Sequence, residues 1–322
     1  MNIFITGASG FLGQRLVARL KQDHHTLSAL SRSKNTDALF DRLGVKPVSG
    51  SLDNIEEWAP ALAGQDVVIH TASPVDFWGE WETFQRDIVS ASLNLYRACG
   101  AQSVKRFIHI STEAVSQDKR PLLDIDETLP YPEEPDSLYG KAKKLAELAL
   151  LNHASPTELL ILRPVYIWGK DDKNGVELLM NAIKSNRFIW IDHGQASIEM
   201  AHVENVVEAI RLALTKGQHK GIYFVTDDRA MPVKDFLTAL LKTRNVTIPN
   251  ASLPSAVARP VARFVEGLWR MLRLKSLPPI SRAQLDFLAL PRRYNLNKIK
   301  QELGYKPVYT LERGLKEMES PI

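Results

Sequence analysis

The chain has 322 residues, and its 41 basic against 37 acidic side chains leave a formal net charge of +4. That length holds one large α/β domain or two linked ones and buries enough surface to fold without staples. The lone Cys99 excludes an internal disulfide and fits a reducing, cytoplasmic setting. So mild a charge, with no long basic run, argues against nucleic acid as a partner. No Cys-x-x-Cys and no His pair one turn apart around a carboxylate occurs, so no metal site is expected. A glycine turn at residue 7 comes too early for a secretory segment.

In chain order, the runs 2–6, 26–31, 45–49, 66–70, 106–111 and 158–163 read as strands. Several are apolar at consecutive positions, as strands covered on both faces are. Amphipathic segments at about 10–22, 54–63, 81–100 and 137–154 read as helices between them. This alternation predicts an α/β fold, a Rossmann-type doubly wound parallel sheet with a smaller C-terminal substrate lobe. The nucleotide-binding domain is expected over 1–164 and the lobe mainly over 165–322, with the chain returning to the sheet at about 200–226. Segments 174–186, 203–216 and 233–244 read as helices and 221–226 as a further strand.

Gly7, Gly10 and Gly13 follow the first strand and open the first helix. In that context the first glycine permits the turn, the second admits a pyrophosphate to the backbone, and the third lets helix and strand pack closely. The helix N-terminus then faces the phosphates with free N–H groups and partial positive charge. At the end of the second strand an acid would hold the ribose of NAD, but Ser31-Arg32-Ser33-Lys34 stands there. Arg32 and the serines suit a 2′-phosphate, so NADP(H) is favoured over NAD(H).

Three Tyr-x-x-x-Lys patterns occur, at Tyr139/Lys143, Tyr166/Lys170 and Tyr294/Lys298. Only the first lies in a clean helix former between strands five and six, beside the nucleotide crevice. One turn apart, its two side chains share a face. A nearby ammonium, and the positive nicotinamide of the oxidised cofactor, favour the phenolate, which would let Tyr139 exchange a proton near neutral pH. Ser111 and Thr112, at the end of strand five, can orient a substrate oxygen.

With these residues in view, the sequence resembles the extended short-chain dehydrogenase/reductase superfamily, the group of NAD-dependent epimerases and dehydratases. The resemblance is carried by TGASGFLG (6–13), HTASP (70–74), ISTEAV (110–115), DETLPYPEEPDSLYGKAK (126–143), LRPVYIWG (162–169), HVENVVEA (202–209) and ELGYKP (302–307). It implies Thr112, Tyr139 and Lys143 as catalytic residues, with Ser111 beside them, and Lys143 also on the nicotinamide ribose. For the cofactor it implies Gly7, Ser9, Gly10, Phe11, Leu12 and Gly13, then Ser51 and Leu52, then His70, Thr71 and Ala72, and finally Pro164 and Val165. The sequence departs from the family where an aspartate commonly follows the third strand's glycine. Gly50 is followed by Ser51 and Leu52, with Asp53 next.

Sugar dehydratases of the superfamily carry Thr-Asp-Glu where this chain has Thr112-Glu113-Ala114, which counts against elimination. HTASPVDFWG resembles the 3β-hydroxysteroid dehydrogenase and dihydroflavonol reductase branches. The resemblance therefore implies hydride transfer between a nicotinamide cofactor and a secondary alcohol or ketone on a fairly hydrophobic small molecule. The alternatives are a nucleotide-sugar epimerase and a non-catalytic NADP(H)-binding regulatory or assembly protein. The segments 81–100 and 137–154 are the expected contact of a homodimer, as is common in the family.

Between Leu253 and Leu274, Val257, Val261, Phe264, Val265, Leu268, Trp269 and Leu272 recur at helical spacing among Arg259, Arg263, Arg270 and Arg273. Pro260 and the charges argue against a membrane span. The expectation is a helix packing this stripe onto the substrate lobe, with a lid or an interfacial membrane helix as alternatives.

Overall fold

The computed structural model describes residues 1–74, 78–274, 276 and 278–319. Its centre is a seven-stranded sheet of β1 (Asn2–Thr6), β2 (Thr26–Ser31), β3 (Lys46–Ser49), β4 (Val67–His70), β5 (Arg106–Ile110), β6 (Glu158–Pro164) and β7 (Gly221–Val225). Across the sheet they lie in the order β7-β6-β5-β4-β1-β2-β3, every pair parallel. The chain winds one way from β1 to β3 and the other way from β4 onward. The carboxyl ends of β1 and β4 therefore flank the switch point where such sheets bind ligands.

Consecutive apolar residues on a strand serve two cores, because successive side chains point to opposite faces. On one face Ile3, Ile5, Ile69, Ile108 and Leu160 pack with Leu16, Val17 and Leu20 of helix α1 (Phe11–Gln22). Val206, Val207 and Ile210 of the helix Val203–Ala213 join the same core. On the other face Phe4, Val68, Phe107, Leu159 and Ile161 pack with Leu95, Tyr96 and Cys99 of the helix Ala91–Ala101. Cys99 is fully buried there, and burial pushes its thiol pKa up, away from the reactive thiolate.

The expected strands and long helices are present, but the helix expected over 54–63 is only an α turn at Ile55–Trp58 continued by a 3-10 turn at Ala59–Leu62, and there are three further differences. Helix α2 (Lys34–Arg42) was not expected, since Phe40 is its one buried residue and polar side chains hide the period. It is capped by Ser33, whose hydroxyl accepts from the Thr36 N–H. The expected helix over 81–100 is broken in pitch, α-helical at Trp81–Phe84, π-helical at Gln85–Ser90 and α-helical from Ala91. Such π segments cluster at functional sites, and this one lays Ile88 against Tyr139, next to Phe84 of the preceding turn. The third difference is a small sheet of Ala230–Pro232, Ser197–Glu199, Arg292–Tyr294 and Leu122–Ile125, in that order. Strands of three or four residues carry too short a pattern to read.

Beyond the sheet, Trp168, Trp190, Ile198, Val233, Phe236 and Leu240 form a separate apolar cluster under the C-terminal part of the chain. No helix among the described residues is long and apolar enough to cross a membrane.

Candidate active site

The three glycines of the opening turn have three different neighbourhoods. Gly7 has φ +78°, and a Cβ on it would lie 2.5 Å from the Thr71 hydroxyl oxygen and 2.6 Å from the Ala72 nitrogen. Left-handed backbone and the loop after β4 both demand glycine there. A Cβ on Gly13 would lie 2.1 Å from the Gly7 carbonyl oxygen, so Gly13 is required by the helix's approach to the turn. Gly10 differs. Its φ is an ordinary −77°, and its Cβ would meet nothing closer than the Gly7 carbonyl oxygen at 3.3 Å. Its open side faces solvent with Ser9, and no side chain caps the N-terminus of α1 that it begins. Backbone N–H groups, no acid in the first turn and open space at Gly10 fit a pyrophosphate. Phe11 and Leu12 stand half-buried at the same turn, with Leu12 packed against the core below.

At the end of β2, Ser31 is buried and its hydroxyl donates to the Ser33 carbonyl, while Arg32 is exposed. Across from it, Ser51 accepts the Asp53 N–H and donates to its carboxylate, and Leu52 packs with Trp58 and Phe4. The Trp58 indole N–H holds the Ser51 carbonyl at 2.7 Å.

His70, expected to line the cofactor, turns its ring into the protein interior. Its ring is buried, with Nδ1 2.7 Å from the Thr6 hydroxyl and Nε2 3.1 Å from that of Ser92. Burial, helped by the Lys143 charge, lowers its pKa to about 3, so the ring is neutral. Thr71 donates to the Thr6 carbonyl, which brings Ala72 and Ser73 round toward the crevice. At the end of β6, Pro164 and Val165 are buried, and the Val165 N–H donates to Val225 at the end of β7.

Tyr139 and Lys143 lie one turn apart on helix α3 (Leu138–Asn152), whose N-cap Ser137 accepts from the Gly140 N–H. Gly140 lets this helix press on the turn after β5, since a Cβ there would stand 2.7 Å from the Ala114 carbonyl oxygen. That approach brings Tyr139 beside the strand end that carries Thr112. Tyr139 is buried among Phe84, Ile88, Ala114, Ala142 and Ala146. The expected effect of the lysine is absent. Burial raises the phenol's pKa, Glu113 raises it further, and a hydrogen bond with Ser73 opposes them. The Lys143 ammonium is 6.0 Å from the ring centroid and donates to the Ile110 carbonyl at 2.9 Å. Burial lowers its own pKa to about 8, against the pull of Glu147.

The two strand-end hydroxyls part company. Thr112 donates to Glu113 at 2.8 Å and caps the short turn Glu113–Ser116 by accepting the Ala114 N–H. Ser111, expected beside the substrate oxygen, instead donates to buried Glu147. Glu147 also accepts from Tyr131 at 2.6 Å and pairs with Arg163 at 2.6 Å, in a site with almost no solvent access. Ser111 thus belongs to a buried polar network that ties β5, β6 and the Tyr139 helix together. Sequence reasoning missed Glu147, Glu113 and Ser73. Glu147 had a signal, because it continues the Tyr139-Lys143 ladder by one more turn. Ser73 had none, since its partner Tyr139 comes from a distant element, and Glu113's nearness to Tyr139 and Arg292 depends on tertiary structure in the same way. Burial raises the Glu113 pKa, while Arg292 and the Thr112 hydrogen bond oppose the rise.

The model of the NAD dependent epimerase/dehydratase family matches residues 3–226. A 4-hydroxy-2-methyl-3-oxo-4-farnesyl-3,4-dihydroquinoline-1-oxide ketoreductase of Stigmatella aurantiaca is 34% identical over 316 residues, 98% of this chain and 95% of that protein. A decarboxylating sterol-4-alpha-carboxylate 3-dehydrogenase of Dictyostelium discoideum is 28% identical, over 98% and 99% of the two chains. The UDP-glucose 4-epimerase of Thermotoga maritima, solved with UDP-glucose, shares the fold with a TM-score of 0.76 at 20% identity, over 99% of this chain and 97% of its own. The chain belongs to the NAD dependent epimerase/dehydratase family, on its dehydrogenase and reductase side.

Proposed function

We propose that this protein transfers a hydride reversibly between NADP(H) and a secondary alcohol or ketone on a fairly hydrophobic small molecule. The observation that carries the reading is the buried Tyr139, one turn from Lys143 and pressed by Gly140 onto the Thr112 turn. The ketoreductase and sterol dehydrogenase names of the relatives support an apolar carbonyl or carbinol as substrate.

When bound, the reduced nicotinamide supplies the hydride. Tyr139, kept protonated at neutral pH by burial, delivers its proton to the carbonyl oxygen. Thr112 orients that oxygen. Its hydroxyl proton goes to Glu113 while Glu113 is ionised, and protonation of Glu113 reverses this bond and frees Thr112 to donate outward. Lys143 holds the ribose. Gly10 and the N-terminus of α1 hold the pyrophosphate, and Arg32 holds the 2′-phosphate of NADP(H). A cytoplasmic homodimer through the helices 81–101 and 138–152 belongs to the same reading.

The test is absorbance of the nicotinamide during incubation of the purified chain with a panel of ketones of increasing apolar bulk. The expected result is steady oxidation of NADPH, faster with the bulkier apolar ketones, and slower with NADH. Arg32→Ser reduces the preference for NADPH about tenfold, the worth of one charge-assisted contact. Isomerisation of a UDP-sugar without net loss of NADPH, and no ketone turned over, would establish the epimerase instead.

A further inference from the structure

The segment expected to bury its apolar stripe does the reverse. The helix Ser255–Met271 packs on the helix Arg282–Ala289 through Ala258 and Ala262, in a cluster with Ile191 and Leu285. Two of its charged residues, Glu266 and Arg259, turn toward that helix with them. Glu266 is buried, accepts the Arg282 N–H at 2.7 Å and pairs with the Arg282 guanidinium at 2.7 Å. Arg259 pairs with buried Asp286 at 2.9 Å. The residues left outside are Val257, Val261, Phe264 and Met271, followed by Leu272 and Leu274. Their spacing places the four helical ones on one face. Phe264 is 73% exposed and Met271 72%.

This concentration is not the ordinary scatter of surface apolar residues. Of the ten exposed large apolar side chains among the described residues, six lie between 257 and 274. The charges around them are of one sign. Glu266 is the helix's single acid and it is buried, so the outward ionic groups are Arg263 and Arg270, with Arg273 just beyond. None of these three forms an ion pair with a carboxylate among the described residues, and Arg270 lies 5.6 Å over the Trp78 ring. A large apolar face rimmed by arginine alone matches the boundary of an anionic bilayer, where the side chains enter the acyl region and the guanidinium groups meet lipid phosphates. The helix carries Pro260 inside it and is too short and too charged to span a membrane, so it would lie along the surface.

We infer that the outward face of the helix Ser255–Met271 docks this protein on an anionic lipid surface. The position of that face gives the contact a use. The Trp78 indole donates to the Leu274 carbonyl at 3.1 Å, tying the end of the patch to the loop after β4. Ser73 of that loop bonds Tyr139. Docking therefore holds the mouth of the candidate active site against the layer in which an apolar small molecule partitions. The surface itself stands whether or not the proposed reaction is correct.

The test is co-sedimentation of the full chain with phosphatidylcholine vesicles, with and without phosphatidylglycerol, at low and high salt. The wild type sediments with the anionic vesicles, and high salt weakens this binding. Phe264→Asp/Met271→Asp lowers the partition coefficient more than about tenfold, since two apolar side chains no longer leave water. Arg263→Glu/Arg273→Glu lowers it at least about tenfold, given about fivefold for each basic charge lost. Both variants keep the wild-type melting temperature and NADPH affinity, because the changed side chains are exposed. The inference fails if the wild type stays in the supernatant with anionic vesicles, or if the Asp variant sediments as the wild type does. It fails equally if neither sediments and light scattering shows Phe264→Asp/Met271→Asp dissociating a dimer, which would make the patch a contact between copies.

Discussion

Tyr139→Phe lowers kcat for ketone reduction by about 10²- to 10⁴-fold, the usual contribution of a positioned acid or base, and leaves NADPH affinity within about twofold. The ring remains in its apolar setting of Phe84, Ile88, Ala142 and Ala146, so the fold is kept and only the hydroxyl is lost. Stopped-flow turnover and cofactor fluorescence separate the two effects. A variant that turns over at the wild-type rate would remove the phenol from the reaction.

The same site has a pH dependence that follows from Lys143. Burial brings its pKa down to about 8, so the ammonium proposed to hold the ribose predominates below pH 8 and is lost as the pH rises through it. The expected kcat/KM falls on the alkaline side of about pH 8. Stability moves the other way. Between pH 8 and the ordinary lysine value the unfolded chain keeps a proton that the folded chain has released, so this group's contribution to stability rises with pH there. Burial-raised phenols such as Tyr139 reverse the trend only above the ordinary tyrosine value. A rate profile and a set of thermal melts across pH 7–9.5 therefore slope in opposite directions if Lys143 is the titrating group.

Glu147→Gln lowers the unfolding free energy by about 3–5 kcal/mol, the loss expected when one partner of a buried ion pair is removed. Arg163 is left buried with an uncompensated charge, and Ser111 and Tyr131 lose a carboxylate acceptor. Replacing both charges, as Glu147→Leu/Arg163→Met, recovers much of that stability, because an apolar pair of similar size avoids the desolvation cost. Denaturant unfolding of the two variants measures both quantities. A Gln variant as stable as the wild type would show that the hydroxyl and guanidinium donors are satisfied without the carboxylate charge. Because Glu147 shares the helix with Tyr139 and Lys143, and Arg163 stands on β6, the pair also sets how closely that helix sits on the sheet.

Much of this protein was legible in its residues because the responsible physics is local. Apolar runs and helical periods set the seven strands and the long helices. The spacing of Gly7, Gly10 and Gly13 marked the turn, and the i,i+4 spacing of Tyr139 and Lys143 marked their shared face. What stayed hidden depended on partners far away in the chain. Ser111 is adjacent to Thr112, yet one hydroxyl meets Glu147 and the other Glu113, a divergence that strand pleat and helix docking create together. The sequence suggested that lysine would acidify the phenol, but the side chains' burial and the nearness of Glu113 raise its pKa.

The sequence by itself determined the order of strands and helices, the nucleotide turn and the amphipathic stripe at 257–272, since each depends on neighbours within a few turns of chain. Only the tertiary structure decided which side of that stripe faces outward. Glu266 and Arg259 find Arg282 and Asp286 on the adjacent helix, and satisfying those buried charges turns Phe264 and Met271 to the surface. A period fixes the angle between residues on a helix, whereas its rotation is set by what the neighbouring elements offer.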